Sequence, residues 1–122
     1  MKKKIIKEDI MDSHLWFVCD CDLNELEDWV FKKFNFEINV DTLAIGKFIQ
    51  ISSDYSVRWV VWTNNKISLS HELIHFVKAI FDFYEMTLSD DNEELFCKLH
   101  SYYLEKCLKM LKNKKREVKK NI

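Results

Sequence analysis

The run His71-Glu72-Leu73-Ile74-His75 sets two imidazoles four positions apart with a carboxylate between them. On a helix, residues four apart share a face, so both rings can reach a single ion. Zinc takes neutral imidazole nitrogen readily and accepts tetrahedral geometry. Glu72 projects about 100° around the helix from His71. It therefore stands beside such an ion rather than on it. A carboxylate in that place can take a proton from an attacking water and pass it to a leaving amine. With four His in 122 residues, the pattern arises by chance in roughly one per cent of shuffled chains.

Two histidines leave a catalytic zinc site incomplete, because such a site wants a third protein ligand and an open position. The candidates are Glu93, Glu94, His100 and the four cysteines. Glu93 and Glu94 open a helical stretch. Eighteen residues, Phe76 to Glu93, separate His75 from Glu94. That interval holds the rest of one helix, a turn and an antiparallel return. His100 is the runner-up. His14 has no motif around it and reads as a histidine without a role.

The elements that must position these groups follow from periodicity. Leu15 to Cys19 reads as a short buried strand. Asp22 with Glu25 three residues later reads as a reciprocal helix cap. Leu23, Leu26, Trp29, Val30 and Phe34 then recur at helical spacing, giving an amphipathic helix over Leu23 to Phe34. Ile45 to Ile51 and Val57 to Thr63 are rich in β-formers and flank the polar turn Ser52-Ser53-Asp54, as in an antiparallel hairpin. Val57, Trp59 and Val61 share one face of the second strand, and Arg58, Val60 and Trp62 the other. Ser68 can cap a helix from about Leu69 to Glu85, with Leu73, Phe76, Val77, Ile80 and Phe81 as its buried stripe. A last helix runs from about Asn92 into the basic segment. The expected class is α+β: a small antiparallel sheet of about three strands, packed with the motif helix and a C-terminal helix.

Length and composition fit one domain over residues 1–122, with 1–12 as an N-terminal extension and 113–122 as a basic tail. Hydrophobic residues at 48% and charged residues at 32% give a globular balance. One Gly and no Pro exclude collagenous and linker-like architectures. Cys19-x-Cys21 and the distant Cys97 and Cys107 depart from the close spacing of structural zinc sites. They read as reduced thiols that pack as small hydrophobes. Neither a membrane span nor a signal peptide is legible, which points to the cytoplasm. The net charge of −1 hides basic ends and an acidic body. That distribution does not match a nucleic-acid-binding face.

His71-Glu72-x-x-His75 followed by Glu94 resembles the gluzincin zinc metallopeptidases, whose third ligand is a Glu on a downstream helix. Residues 57–104 loosely resemble a minimal domain of that kind. The segment Leu69 to Leu104 is also similar to small HExxH proteins encoded by bacteriophages and prophages, in which the return helix opens with Asp-Asn-x-Glu. Here that is Asp91-Asn92-Glu93-Glu94, which favours Glu94 over Glu93. The resemblance implies Zn²⁺ held by His71, His75 and Glu94, with Glu72 as general base. It also implies that Val57 to Thr63 is an edge strand able to align an extended peptide by β-addition. Where many gluzincins carry an Asp four residues after the ligand Glu, this chain has Lys98, and Asp82 lies two turns beyond His75. Tyr102, Tyr103 and His100 are the nearest groups for steadying an oxyanion, although core packing suits the tyrosines better. The implied function is a zinc-dependent peptidase acting on a protein partner. The alternatives are a zinc-bound, non-hydrolytic phage assembly or regulatory protein, and a regulator that cleaves a partner repressor.

Overall fold

The computed structural model describes residues 1–39 and 43–120, with side chains described up to Leu111. The basic tail read at 113–122 is helical in its backbone as far as Lys120; its side chains and residues 121–122 lie outside the described residues.

Four strands and three helices follow in the order β1 (Lys2–Glu8), β2 (Ser13–Cys19), α1 (Leu23–Phe34), β3 (Gly46–Ser52), β4 (Val57–Thr63), α2 (Lys66–Phe83) and α3 (Glu93–Lys120). The class is α+β, as expected. The sheet has the order β1-β2-β4-β3. It is mixed rather than antiparallel: β1 pairs with β2 and β3 with β4 antiparallel, but β2 runs parallel to β4, with Phe17 opposite Val61. The parallel pair arises because the chain leaves β2 through α1 and returns by the β3–β4 hairpin.

Two further expectations are corrected by this topology. Residues 2–8 are not an extension but an edge strand. Their sequence hides it, since Lys-Lys-Lys-Ile-Ile-Lys-Glu lacks alternation, and lysines are a common guard on exposed sheet edges. Val57 to Thr63 is not an edge strand either. It lies between β2 and β3, and the open edge on that side belongs to β3.

The sheet is buried on both faces. Phe17, Trp59 and Val61 meet Leu73, Phe76 and Ile80 of α2 and Leu99 and Tyr103 of α3. Val18, Val60 and Trp62 meet Leu26 and Val30 of α1. The alternation in β4 thus assigns its faces as read, one to each helical layer.

Local chemistry fixes the helix starts. Asp22 accepts from the Glu25 amide at 2.8 Å, and the Glu25 carboxylate accepts from the Asp22 amide at 3.2 Å, completing the capping box. For α2, Asn65 rather than Ser68 is the cap: its side chain accepts from the Ile67 and Ser68 amides. The Ser68 hydroxyl is occupied elsewhere, 2.5 Å from Thr63 Oγ1 and 3.2 Å from the Ile45 carbonyl. This buried hydroxyl pair ties the end of β4, the start of α2 and the approach to β3 together.

A second polar chain fastens the β1–β2 hairpin to α3. The buried Glu8 carboxylate accepts from the Met11 amide at 2.8 Å and from Ser13 Oγ at 2.7 Å. Ser13 has one hydroxyl proton, already given to Glu8, so the Tyr103 hydroxyl donates to Ser13 Oγ at 2.8 Å. Burial pushes the Tyr103 phenol well above its ordinary range. Tyr102 donates to the Lys7 carbonyl at 2.5 Å. Both tyrosines are therefore committed to this corner of the fold.

Candidate metal centre

The motif lies on α2, whose buried stripe of Leu69, Leu73, Phe76, Val77 and Ile80 packs on the sheet and α3. His71 and His75 fall on the opposite side of that helix and are exposed. Their Nε2 atoms approach to 3.1 Å, with the rings nearly perpendicular. That separation suits an N–H···N hydrogen bond between neutral rings. It is also close to the roughly 3.3 Å that separates two nitrogens held at 2.0–2.1 Å on a tetrahedral zinc ion. The helix thus presents two convergent imidazole nitrogens to solvent.

Glu72 has a different environment. Its side chain is only 11% exposed, against 69% for His71, and its Oε1 lies 3.9 Å from His71 Nε2. It occupies the flank of α2 that faces β3. The chain's single glycine, Gly46, stands there. A Cβ at that position would meet Ser68 Oγ at 2.9 Å and Glu72 Cγ at 3.1 Å. The missing side chain is what lets the open-edge strand start directly against the Glu72 stem. A sheltered carboxylate, a histidine pair and the head of the outer strand β3 are thereby gathered along the first part and middle of α2.

The remaining candidates are placed elsewhere. Glu94 is exposed in the first turn of α3. The first three buried residues along that helix are Leu99, Tyr103 and Cys107. At 100° per residue they sit roughly 140–180° around the axis from Glu94. Glu94 therefore turns away from the packed face of α3. Glu93, on the same turn, is exposed as well. His100 Nε2 lies 3.2 Å from both the Ser70 hydroxyl and the Ser70 carbonyl. A carbonyl only accepts, so this nitrogen carries a proton and donates, which takes it out of use as a ligand. Cys19, Cys21 and Cys107 are buried, and burial pushes the Cys21 thiol up to about 11. Cys97 and Asp82 are exposed. Among the described residues, no group of three or more His, Cys, Asp or Glu stands close enough to hold an ion. The structure brings His71, His75 and Glu72 together and does not bring Glu94 to them.

His14 packs beside Trp59, with ring centroids 6.3 Å apart. Its imidazole is held below the ordinary value by burial, then by the charges of Arg58 and Lys7. The Gly46 contact escaped sequence reading, although a lone glycine at the head of a predicted strand is a signal of close approach by another backbone or side chain.

Comparison with known proteins gives no match: no family model, curated protein or solved structure is similar to this chain.

Proposed function

We propose that this protein is a zinc-dependent hydrolase of the HExxH type that cleaves a peptide bond in an extended segment of a protein partner. The observation that carries the reading is the convergence of the His71 and His75 Nε2 atoms at 3.1 Å, with the sheltered Glu72 carboxylate 3.9 Å from one of them. The pair fits two ligand positions of a zinc ion, whereas Glu94, as it stands on α3, does not fill the third. Zinc held there would polarise a carbonyl and acidify a water. Glu72 is the group placed to accept that water's proton and return it to the leaving amine. Its stem packs against Gly46 and its side chain is largely sheltered, which supports a carboxylate positioned beside the histidine pair. The open edge of β3, which begins at Gly46, is the strand on which an extended substrate would align beside Glu72. The reading places the protein in the cytoplasm, that of the bacterial host if a phage encodes it; no helix among the described residues is long and apolar enough to cross a membrane.

One observation favours the second reading, a zinc-bound interaction protein without hydrolytic activity. His71 and His75 are exposed on a helix face with no third ligand beside them among the described residues, as suits an ion completed by a partner. The test is a peptide library derived from digested bacterial protein, incubated with zinc-loaded protein and read by mass spectrometry. New termini that a chelator suppresses and zinc restores are the expected result. Intact peptides, together with stoichiometric zinc, would leave the interaction protein as the correct account.

A further inference from the structure

We infer that the β1 edge and α3 together form a groove that takes an acidic, extended segment of a protein partner as an added strand. This surface is separate from the histidine pair. Lys4 and Lys7 of β1 and Lys106 and Lys109 of α3 line a groove of about 380 Å³, with Tyr102 and Met110 between them and no carboxylate among the described residues of its lining. All four lysines are exposed. Lys109 has one ion-pair partner, Glu105 at 3.6 Å, but both side chains are more than 60% exposed and such pairs hold weakly. Lys106 lies over the Tyr102 ring, 5.5 Å from its centroid.

The backbone supplies the second half of the recognition. Among the described residues, β1 is paired on one side only, with β2. In an antiparallel ladder, alternate residues turn both their N–H and C=O away from the partner strand. The Tyr102 hydroxyl reaches the Lys7 carbonyl from α3, which marks the outward set as Lys3, Ile5 and Lys7. The N–H and C=O groups of Lys3 and Ile5 are thus presented along the edge, beside the lysine-lined groove.

Edge lysines alone are expected as a guard against edge-to-edge pairing. Lys106 and Lys109 are not on the edge, yet they converge on the same groove from the helix. Their placement turns a guard into a selector. Two copies of β1 would oppose lysine to lysine, whereas a strand bearing Glu or Asp gains backbone pairing and charge complementarity together. A nucleic acid would satisfy the charge but could not use the strand edge.

The test uses the full-length protein and a fluorescent peptide of alternating Glu and Val. A Lys-Val peptide and a short single-stranded DNA serve as the other arms. The Glu-Val peptide is expected to bind with an affinity that falls as salt rises. It should slow hydrogen exchange at the Lys3 and Ile5 amides. The double substitution Lys106→Glu with Lys109→Glu should weaken it by about tenfold or more. Failure of the Glu-Val peptide to bind, or binding that leaves those amides unprotected, would overturn the inference. So would equal binding of the Lys-Val peptide, or a DNA that binds more tightly and is lost in the same variant.

Discussion

Under the proposed function, replacing Glu72 with Gln is expected to leave zinc bound and to lower the rate of peptide hydrolysis by about 10²–10⁴-fold, the usual contribution of a positioned general base. Glutamine matches glutamate in size and shape, so the contact with Gly46 and the start of β3 are preserved. It cannot take a proton from water, so only the chemical step is affected. The proposed ligand atoms, His71 Nε2 and His75 Nε2, are untouched, which is why metal content should not change. The experiment reads two quantities on one preparation: zinc per chain by elemental analysis, and kcat on a substrate found in the peptide library. A variant that retains both zinc and full activity would remove Glu72 from the chemistry. A variant that loses zinc would show that the carboxylate serves the metal rather than the water.

The second large effect concerns the platform that carries the motif. Phe76, one residue beyond His75, is fully buried. Its ring lies 6.3 Å from Phe48 of β3, 5.7 Å from Trp59 of β4 and 4.8 Å from Tyr103 of α3. One side chain thus locks α2 to two strands and to the last helix. Phe76→Ala should cost about 3–5 kcal/mol, the sum of lost transfer free energy and an incompletely collapsed cavity. A domain of this length is typically stable by roughly 6–18 kcal/mol, so the loss would be a large share of the total. Denaturant unfolding should show a lower midpoint at an unchanged slope. A loss below about 1 kcal/mol would mean that the ring is not the joint between α2 and the sheet.

Local signals in the sequence translated well into structure, and long-range ones did not. The limits of α1 were legible because Asp22 and Glu25 form a reciprocal cap that acts within one turn. Strand β4 was legible because Val57 to Thr63 alternates between two buried faces. The start of α2 was misjudged by a few residues because Asn65 and Ser68 are both good caps. Thr63 decides between them by engaging the Ser68 hydroxyl. β1 escaped because an edge strand with two isoleucines among lysines carries no periodic pattern. That omission in turn concealed which strand is the open edge. The Glu8–Ser13–Tyr103 chain joins residues 90 positions apart, and nothing local announces it.

The candidate site divides along the same line. The spacing within His71 to His75 is a helix property, and the two nitrogens do converge. The reach to Glu94 depends on how α3 is rotated about its axis. Leu99, Tyr103 and Cys107 set that rotation by taking the buried face, and they turn Glu94 outward. An eighteen-residue interval gives distance along the chain but not the direction a side chain faces.

X-ray absorption at the zinc edge, recorded on protein loaded with one equivalent of zinc, probes the ion's own neighbours. Two imidazole nitrogens at about 2.0–2.1 Å are expected in the wild type, both lost when His71 and His75 are replaced by Ala. A spectrum without imidazole scattering, or one unchanged in that double variant, would contradict the assignment of a metal to this helix.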